Sequence, residues 1–219
     1  MAKEHRELLP FEPRISKTRR AKEMKVTYND LRDCFGDLGY RFFHNGAYNL
    51  NLFGIRRGFS PKDEFNDLLG IAFRDASGRP VVLLHKGTTS PGLFWLRNRM
   101  LNSNGTAILQ PGQYRGCWQV GLHKGYEALV QVGFPFDVWR DNDRDGKHDP
   151  SGRTYTDVTG LNAHTTSFIR EVDKVGAYSA GCQVRQFDSD HMHFMSLCKQ
   201  SAGLYGNSFS YTLINEDEL

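Results

Sequence analysis

The chain has 219 residues, 39% of them apolar and 24% charged, with a formal net charge of +3. That length and balance suit one packed core and exclude wholesale disorder. No run approaches the roughly 20 apolar residues that span a bilayer. The charge is uneven, since residues 1–25 carry eight Lys/Arg against four Glu.

We therefore expect a basic arm over residues 1–25, solvated or laid on a polyanion, followed by a single domain over 26–219. No apolar segment follows the N-terminal charges, so no secretory signal is expected. The reading is a protein made in the cytosol that reaches its place of action by another route. No nucleic-acid-binding module is legible, which speaks against nucleic acid as a partner. The closing "NEDEL" resembles an ER-retention signal, which without a secretory signal is coincidence. The four cysteines, Cys34, Cys117, Cys182 and Cys198, form no CxxC pair and no zinc spacing. They predict neither a disulfide framework nor a zinc site.

In chain order, the spacing of Val26, Leu31, Cys34/Phe35 and Leu38 predicts a short helix over 26–38, capped by Asn29 or Asp30. "NLNLFGIRR" follows as a strand alternating Leu50, Leu52 and Ile55. The clearest hairpin is 65–89, where one apolar run (68–73) meets the turn "DASG" and a second run (81–84). "GTAILQPGQYRGCWQVGLHKG" and "YEALVQVGFPFDVWRD" supply further short strands. "FDSDHMHFMSLCKQSAG" predicts a helix with Phe187, His191, Phe194/Met195 and Cys198 on one face and Gly203 as its C-cap. "SFSYTLI" closes the chain as a strand alternating Phe209, Tyr211 and Leu213. The 22 glycines sit mostly between apolar runs. The expected fold is mainly β, a sandwich or barrel with one or two short helices.

Two stretches carry chemistry. "DNDRDGKHD" reads D-x-D-x-D-G-x-x-D. Asp141, Asp143 and Asp145 can converge on one cation, with the Lys147 carbonyl and Asp149 as further donors and Gly146 at the turn. This is the first part of an EF-hand loop, with Gly152 where the bidentate Glu would stand. The expectation is a structural Ca2+ or a hydrated acidic turn, with no cofactor needed for catalysis. The second stretch is "GLNAHTTSFIREVDKVGAYSAGCQV". A thiol needs a base to become a nucleophile, and His164 is the candidate base for Cys182. Backbone N–H groups at Gly181 and Cys182 are candidate oxyanion donors.

A histidine followed some fourteen to seventeen residues later by Ser/Thr-x-Gly-Cys resembles the signature of the L,D-transpeptidase catalytic domain. The resemblance covers about residues 45–215, and its specific part is the 25-residue stretch. It implies a β-rich, barrel-like sandwich acting on peptidoglycan stem peptides. It makes Cys182 the nucleophile and His164 the base, with Gly181 shaping the oxyanion hole and Ser179 supporting the turn. The "RDxDxDG" loop before "GLNAH" is similar to a branch of that family found in bacterial and phage cell-wall proteins. The chain departs from the family pattern at Ala180, where a second histidine is usual, and at Val184, where an arginine is usual. Arg185 next door is the candidate for the substrate carboxylate, and Tyr178 for packing against substrate. The implied activity is cross-linking, or hydrolysis as a carboxypeptidase or endopeptidase. The implied place of action is the bacterial cell wall, reached as a phage lysis protein, virion component or secreted effector. Two alternatives stand beside it: another Cys–His hydrolase, and a non-catalytic, calcium-stabilised structural or binding protein such as part of a virion.

The remaining candidates are weaker. His191 and His193 would share a face on a strand and could bind metal, but not in the predicted helix. His123 reads as a core or surface residue, or as one reaching the site from a neighbouring strand. Trp95, Trp118 and Trp139 read as core or groove aromatics.

Overall fold

The computed structural model describes residues 24–60, 62–98, 101–150 and 152–219. The arm expected over 1–25 lies outside these residues except for Met24 and Lys25. The fold is mainly β, with three α-helices rather than one or two short ones. In chain order the elements are α1 (Tyr28–Asp37), β1 (Asn51–Arg56), β2 (Asp67–Arg74), β3 (Pro80–Thr88), α2 (Leu93–Arg97), β4 (Thr106–Leu109), β5 (Gly112–His123), β6 (Tyr126–Gln131), β7 (Phe136–Asp141), β8 (Tyr155–Asp157), β9 (Ala163–Thr165), β10 (Gln183–Arg185), α3 (Asp188–Tyr205) and β11 (Phe209–Asn215).

Eight strands close a barrel in the order β1-β11-β5-β6-β9-β10-β3-β2, and β4-β7-β8 form a separate three-stranded sheet. Two barrel contacts are parallel, β1 with β11 and β9 with β10. The β2–β3 hairpin forms where the sequence places it. Its turn is fixed by Asp75, whose Oδ1 accepts the N–H groups of Ser77 and Arg79, an Asx arrangement that closes the bend locally.

Most strands are buried on both faces, so period-2 alternation sorts residues between two cores rather than between core and water. Leu50 and Leu52 of the first strand region, Ile71 and Phe73 of β2, and Tyr211 and Leu213 of β11 join the central cluster with Trp118 and Phe194. Phe53, Ile55, Ala72 and Ile214 point the other way, into a second cluster covered by Leu31, Cys34 and Phe35 of α1. Ile55 therefore does not share a face with Leu50 and Leu52, because an odd spacing reverses the side.

Helix α1 starts at Thr27, not at Asn29 or Asp30. Thr27 Oγ1 accepts the Asp30 N–H, and Asp30 Oδ2 accepts the Thr27 N–H. Asp30 is thus the returning arm of a capping box. Helix α3 runs two residues past Gly203 and is capped by Gly206 at φ 90°. Its buried side is His191, Phe194, Met195, Leu197, Cys198 and Ser201. His193 is exposed while His191 is buried, so the two imidazoles lie on different faces as the helical reading requires. The unanticipated helix α2 is a single turn, too short to show periodicity. No helix among the described residues is long and apolar enough to cross a membrane.

Candidate active site

The residues before β10 make a tight turn held by Ser179. The fully buried Ser179 hydroxyl donates to Cys182 O (2.8 Å) and accepts the Gly181 N–H (3.1 Å). Ser179 O accepts the Gly92 N–H at 2.9 Å, tying the turn to the segment before α2. Gly181 has φ 119°, and a Cβ there would stand 2.6 Å from Ala107 O and 2.8 Å from Leu161 Cδ2. Only glycine meets both the backbone angle and the space. The Gly181 N–H is used inside the turn, so it is not the oxyanion donor expected from the sequence. Among the described residues, the Cys182 N–H makes no hydrogen bond within the turn, whereas the Gly181 N–H does.

Cys182 precedes β10, and Val184 pairs with His164 of β9. Alternation then puts Cys182, Val184 and His164 on one side of the barrel wall, and Ala163, Gln183 and Arg185 on the other. Cys182 and His164 line one pocket of ≈ 420 Å³. The small sheet supplies one wall through Thr106, Ala107 and Arg140, and the β5–β6 hairpin supplies another through His123 and Lys124. Tyr178 lines the pocket, as does Trp95, whose Nε1 donates to Ala177 O. Trp118 lies in the core, where its Nε1 donates to Leu161 O and so sets the pocket rim. Trp139 is half-buried on β7, paired with Ile108, and does not line the pocket.

Arg185 does not meet substrate in this arrangement. It is 3% exposed, faces the barrel interior, donates to His85 Nδ1 (3.2 Å) and lies 3.5 Å from the Phe194 ring centroid. One residue of offset from Val184 reverses its side. The pocket's cations are Lys124 and Arg140, and Arg140 is already engaged by Asp157 at 3.2 Å.

Two imidazoles stand together in the pocket. His123 and His164 stack with centroids 4.3 Å apart at 12°. His164 Nδ1 lies 2.7 Å from Thr165 O, to which it donates, with the Tyr126 hydroxyl 3.2 Å away. That assignment leaves Nε2 as the basic nitrogen. Asn162 Oδ1 accepts the Gln131 N–H, which turns Nδ2 toward His123 Nδ1 at 3.0 Å. Asn162 also donates its backbone N–H to Cys182 Sγ at 3.4 Å, and the thiol points to Gly160 O at 3.8 Å. No hydrogen bond joins Cys182 Sγ to an imidazole among the described residues.

Burial drives both partners toward neutrality. It pushes the Cys182 thiol above its ordinary value, against the opposing Asn162 N–H and the Lys124 charge. It draws His164 down to about 3, against the Thr165 carbonyl and with help from His123. The resting pair is thiol and imidazole, not thiolate and imidazolium. Asn162 carried no signal in the sequence beyond its place in "GLNAH". The role of His123 depends on pairing that brings the β5–β6 tip beside β9.

The other thiols, Cys34, Cys117 and Cys198, are all buried and unbridged. In the 141–149 loop, Asp141 is 3% exposed and burial, foremost, pushes its carboxyl up to about 6. Asp143, Asp145 and Asp149 are exposed. Comparison with known proteins finds no matching family model, no matching curated protein and no matching solved structure.

Proposed function

We propose that this chain is a cysteine acyl-transfer enzyme acting on peptidoglycan stem peptides, in the manner of the L,D-transpeptidases that its motif resembles. The observation that carries the reading is the glycine-dependent turn that places Cys182 in one pocket with the stacked His164 and His123. A packing cysteine requires no such pocket, no obligate glycine and no oriented base.

In the proposed reaction Cys182 Sγ attacks a stem-peptide carbonyl carbon while His164 Nε2 takes the thiol proton. The Cys182 N–H faces the oxygen that gains the charge. Collapse breaks the C–N bond, His164 returns the proton to the departing amine, and a thioester remains. An amine then takes the acyl group to make a cross-link, or water takes it and the result is hydrolysis. Because thiol and imidazole are both neutral at rest, proton transfer accompanies attack rather than preceding it. Lys124 lines the pocket, is exposed, and forms no ion pair among the described residues, so it is the cation we assign to a substrate carboxylate in place of Arg185.

Intact mass of the protein after incubation with a purified muropeptide tetrapeptide tests this, with wild type beside Cys182→Ala. The expected result is an acyl adduct or turnover in wild type and neither in the variant. The released products separate amine from water as acceptor. Absence of reaction in wild type, together with a Cys182 inert to small thiol reagents in the folded state, would return the turn to packing.

A further inference from the structure

The loop that leaves β7 contains a carboxylate oxygen with no hydrogen-bond partner among the described residues. Asp141 is buried, and its Oδ2 accepts the Asp149 N–H at 3.0 Å, so the carboxylate lies across the mouth of the loop. Its Oδ1 is also buried and meets no hydrogen-bond donor among the described residues. A buried carboxylate oxygen left unpaired is costly, and such atoms call for an explanation. The charges of Asp143, Asp145 and Asp149 all bear on this group. Arg144 and Lys147 are the only cationic residues between 141 and 149, so four carboxylates leave a surplus of two negative charges. The chain bends at Gly146, φ 76°, where a Cβ would run into the Arg97 side chain.

We infer that residues 141–149 hold one calcium ion, bound by the carboxylates of Asp141, Asp143, Asp145 and Asp149 and the Lys147 carbonyl, and that the ion braces the turn presenting Cys182. All donors are oxygens, one is a main-chain carbonyl, and the loop is irregular, which suits calcium better than the strict octahedron of magnesium. No three acidic, imidazole or thiol side chains already converge as ligands among the described residues. Binding therefore requires Asp143 and Asp145 to turn inward. At present Asp145 Oδ2 holds the Lys147 ammonium at 2.7 Å, with the lysine side chain 83% exposed. An exposed pair of that kind yields easily to a divalent ion.

The connection to the turn is short. His148 Nε2 donates to Pro91 O at 2.7 Å, and its ring stacks on Phe59. The next residue, Gly92, donates to Ser179 O, and Ser179 Oγ holds Cys182 O. Ion binding does not depend on the proposed function; only calling the braced residue a nucleophile does.

The test uses the full chain after chelation, with the Cys182→Ala protein in parallel so that no enzymatic reading enters. Calcium titrated by calorimetry should show one saturable site. At about 100-fold excess over Kd the thermal midpoint should rise by about 5–10 °C. Asp143→Asn and Asp145→Asn change exposed side chains and should abolish the shift, whereas Lys147→Gln should keep it. Amide exchange at 90–92 and 176–182 should slow when calcium binds. No heat and an unchanged midpoint up to about 10 mM calcium, beyond the weakest natural modules, would overturn the site. A shift that survives in both Asp variants would place the ion elsewhere and overturn it too. Binding without slower exchange at 176–182 would overturn the bracing.

Discussion

Cys182 and His164 are held in the wrong protonation states for a preformed ion pair, and burial is the cause in both. The alkylation rate of Cys182 in the folded protein should therefore keep rising above the ordinary thiol value of 9.0. It should show no plateau near neutrality. Lys124→Met should move the profile further up, since the lysine charge favours the thiolate. A rate already level at pH 6–7 would mean a standing thiolate–imidazolium pair and would refute the neutral resting state. At this scale the sequence was readable where a residue type is obligatory. Gly181 announces a turn because nothing else fits, and Ser179 announces the hydroxyl that closes it. Arg185 was misread because its role depended on parity, and parity follows from where β10 begins. The Gly181 N–H was misread because its acceptor is the Ser179 hydroxyl two residues earlier, and composition does not show which way that hydroxyl turns.

Among the elements, α3 sends Phe194, Met195, Leu197 and Cys198 into the central cluster. Phe194 is 1% exposed, in the central cluster, with the Arg185 guanidinium over its ring. Phe194→Ala should cost on the order of 3–5 kcal/mol, because it opens a cavity and leaves a buried cation without its aromatic face. Denaturant unfolding measures this, and a loss below about 1 kcal/mol would mean that α3 packs loosely. The long helix and the β2–β3 hairpin were legible because each is a local pattern with its own boundary signals. The small sheet was not. Leu109 meets Val138 and Phe136 meets Asp157 across tens of residues, and nothing in "TAIL" or "YTD" names its partner. The same holds for His123, which reaches His164 only because the β5–β6 hairpin folds against β9.

Across the whole molecule, the buried histidines set the response to acid. Burial draws His85 and His164 to about 3 and His191 to about 4. Each is neutral in the fold and becomes protonated near pH 6.5 once unfolded. Their contribution is complete above about pH 6.5 and is lost as pH falls toward 3–4, by up to about 1.4 kcal/mol per pH unit for each histidine. Asp141, pushed up to about 6 by burial, opposes part of this as pH falls below that value, and Asp67 and Asp190, also pushed up by burial, act in the same direction. Unfolding free energies measured at pH 7, 6 and 5 should fall in that order. A level profile would show that the imidazoles protonate without unfolding.

The barrel is completed by β1 pairing in parallel with β11, Leu52 opposite Tyr211. That contact has one of the largest sequence separations in the fold, and the β5 strand joins β11 on its other side. A chain emerging from the ribosome can form the β2–β3 hairpin early, but it cannot close the cylinder until residue 215 is available. High contact order of this kind slows folding and leaves unpaired edges exposed in the meantime. Cys182, placed just ahead of β10, is thus synthesised before the strand that seals its scaffold. The nascent protein depends on its last strand arriving before a neighbouring chain pairs in its stead.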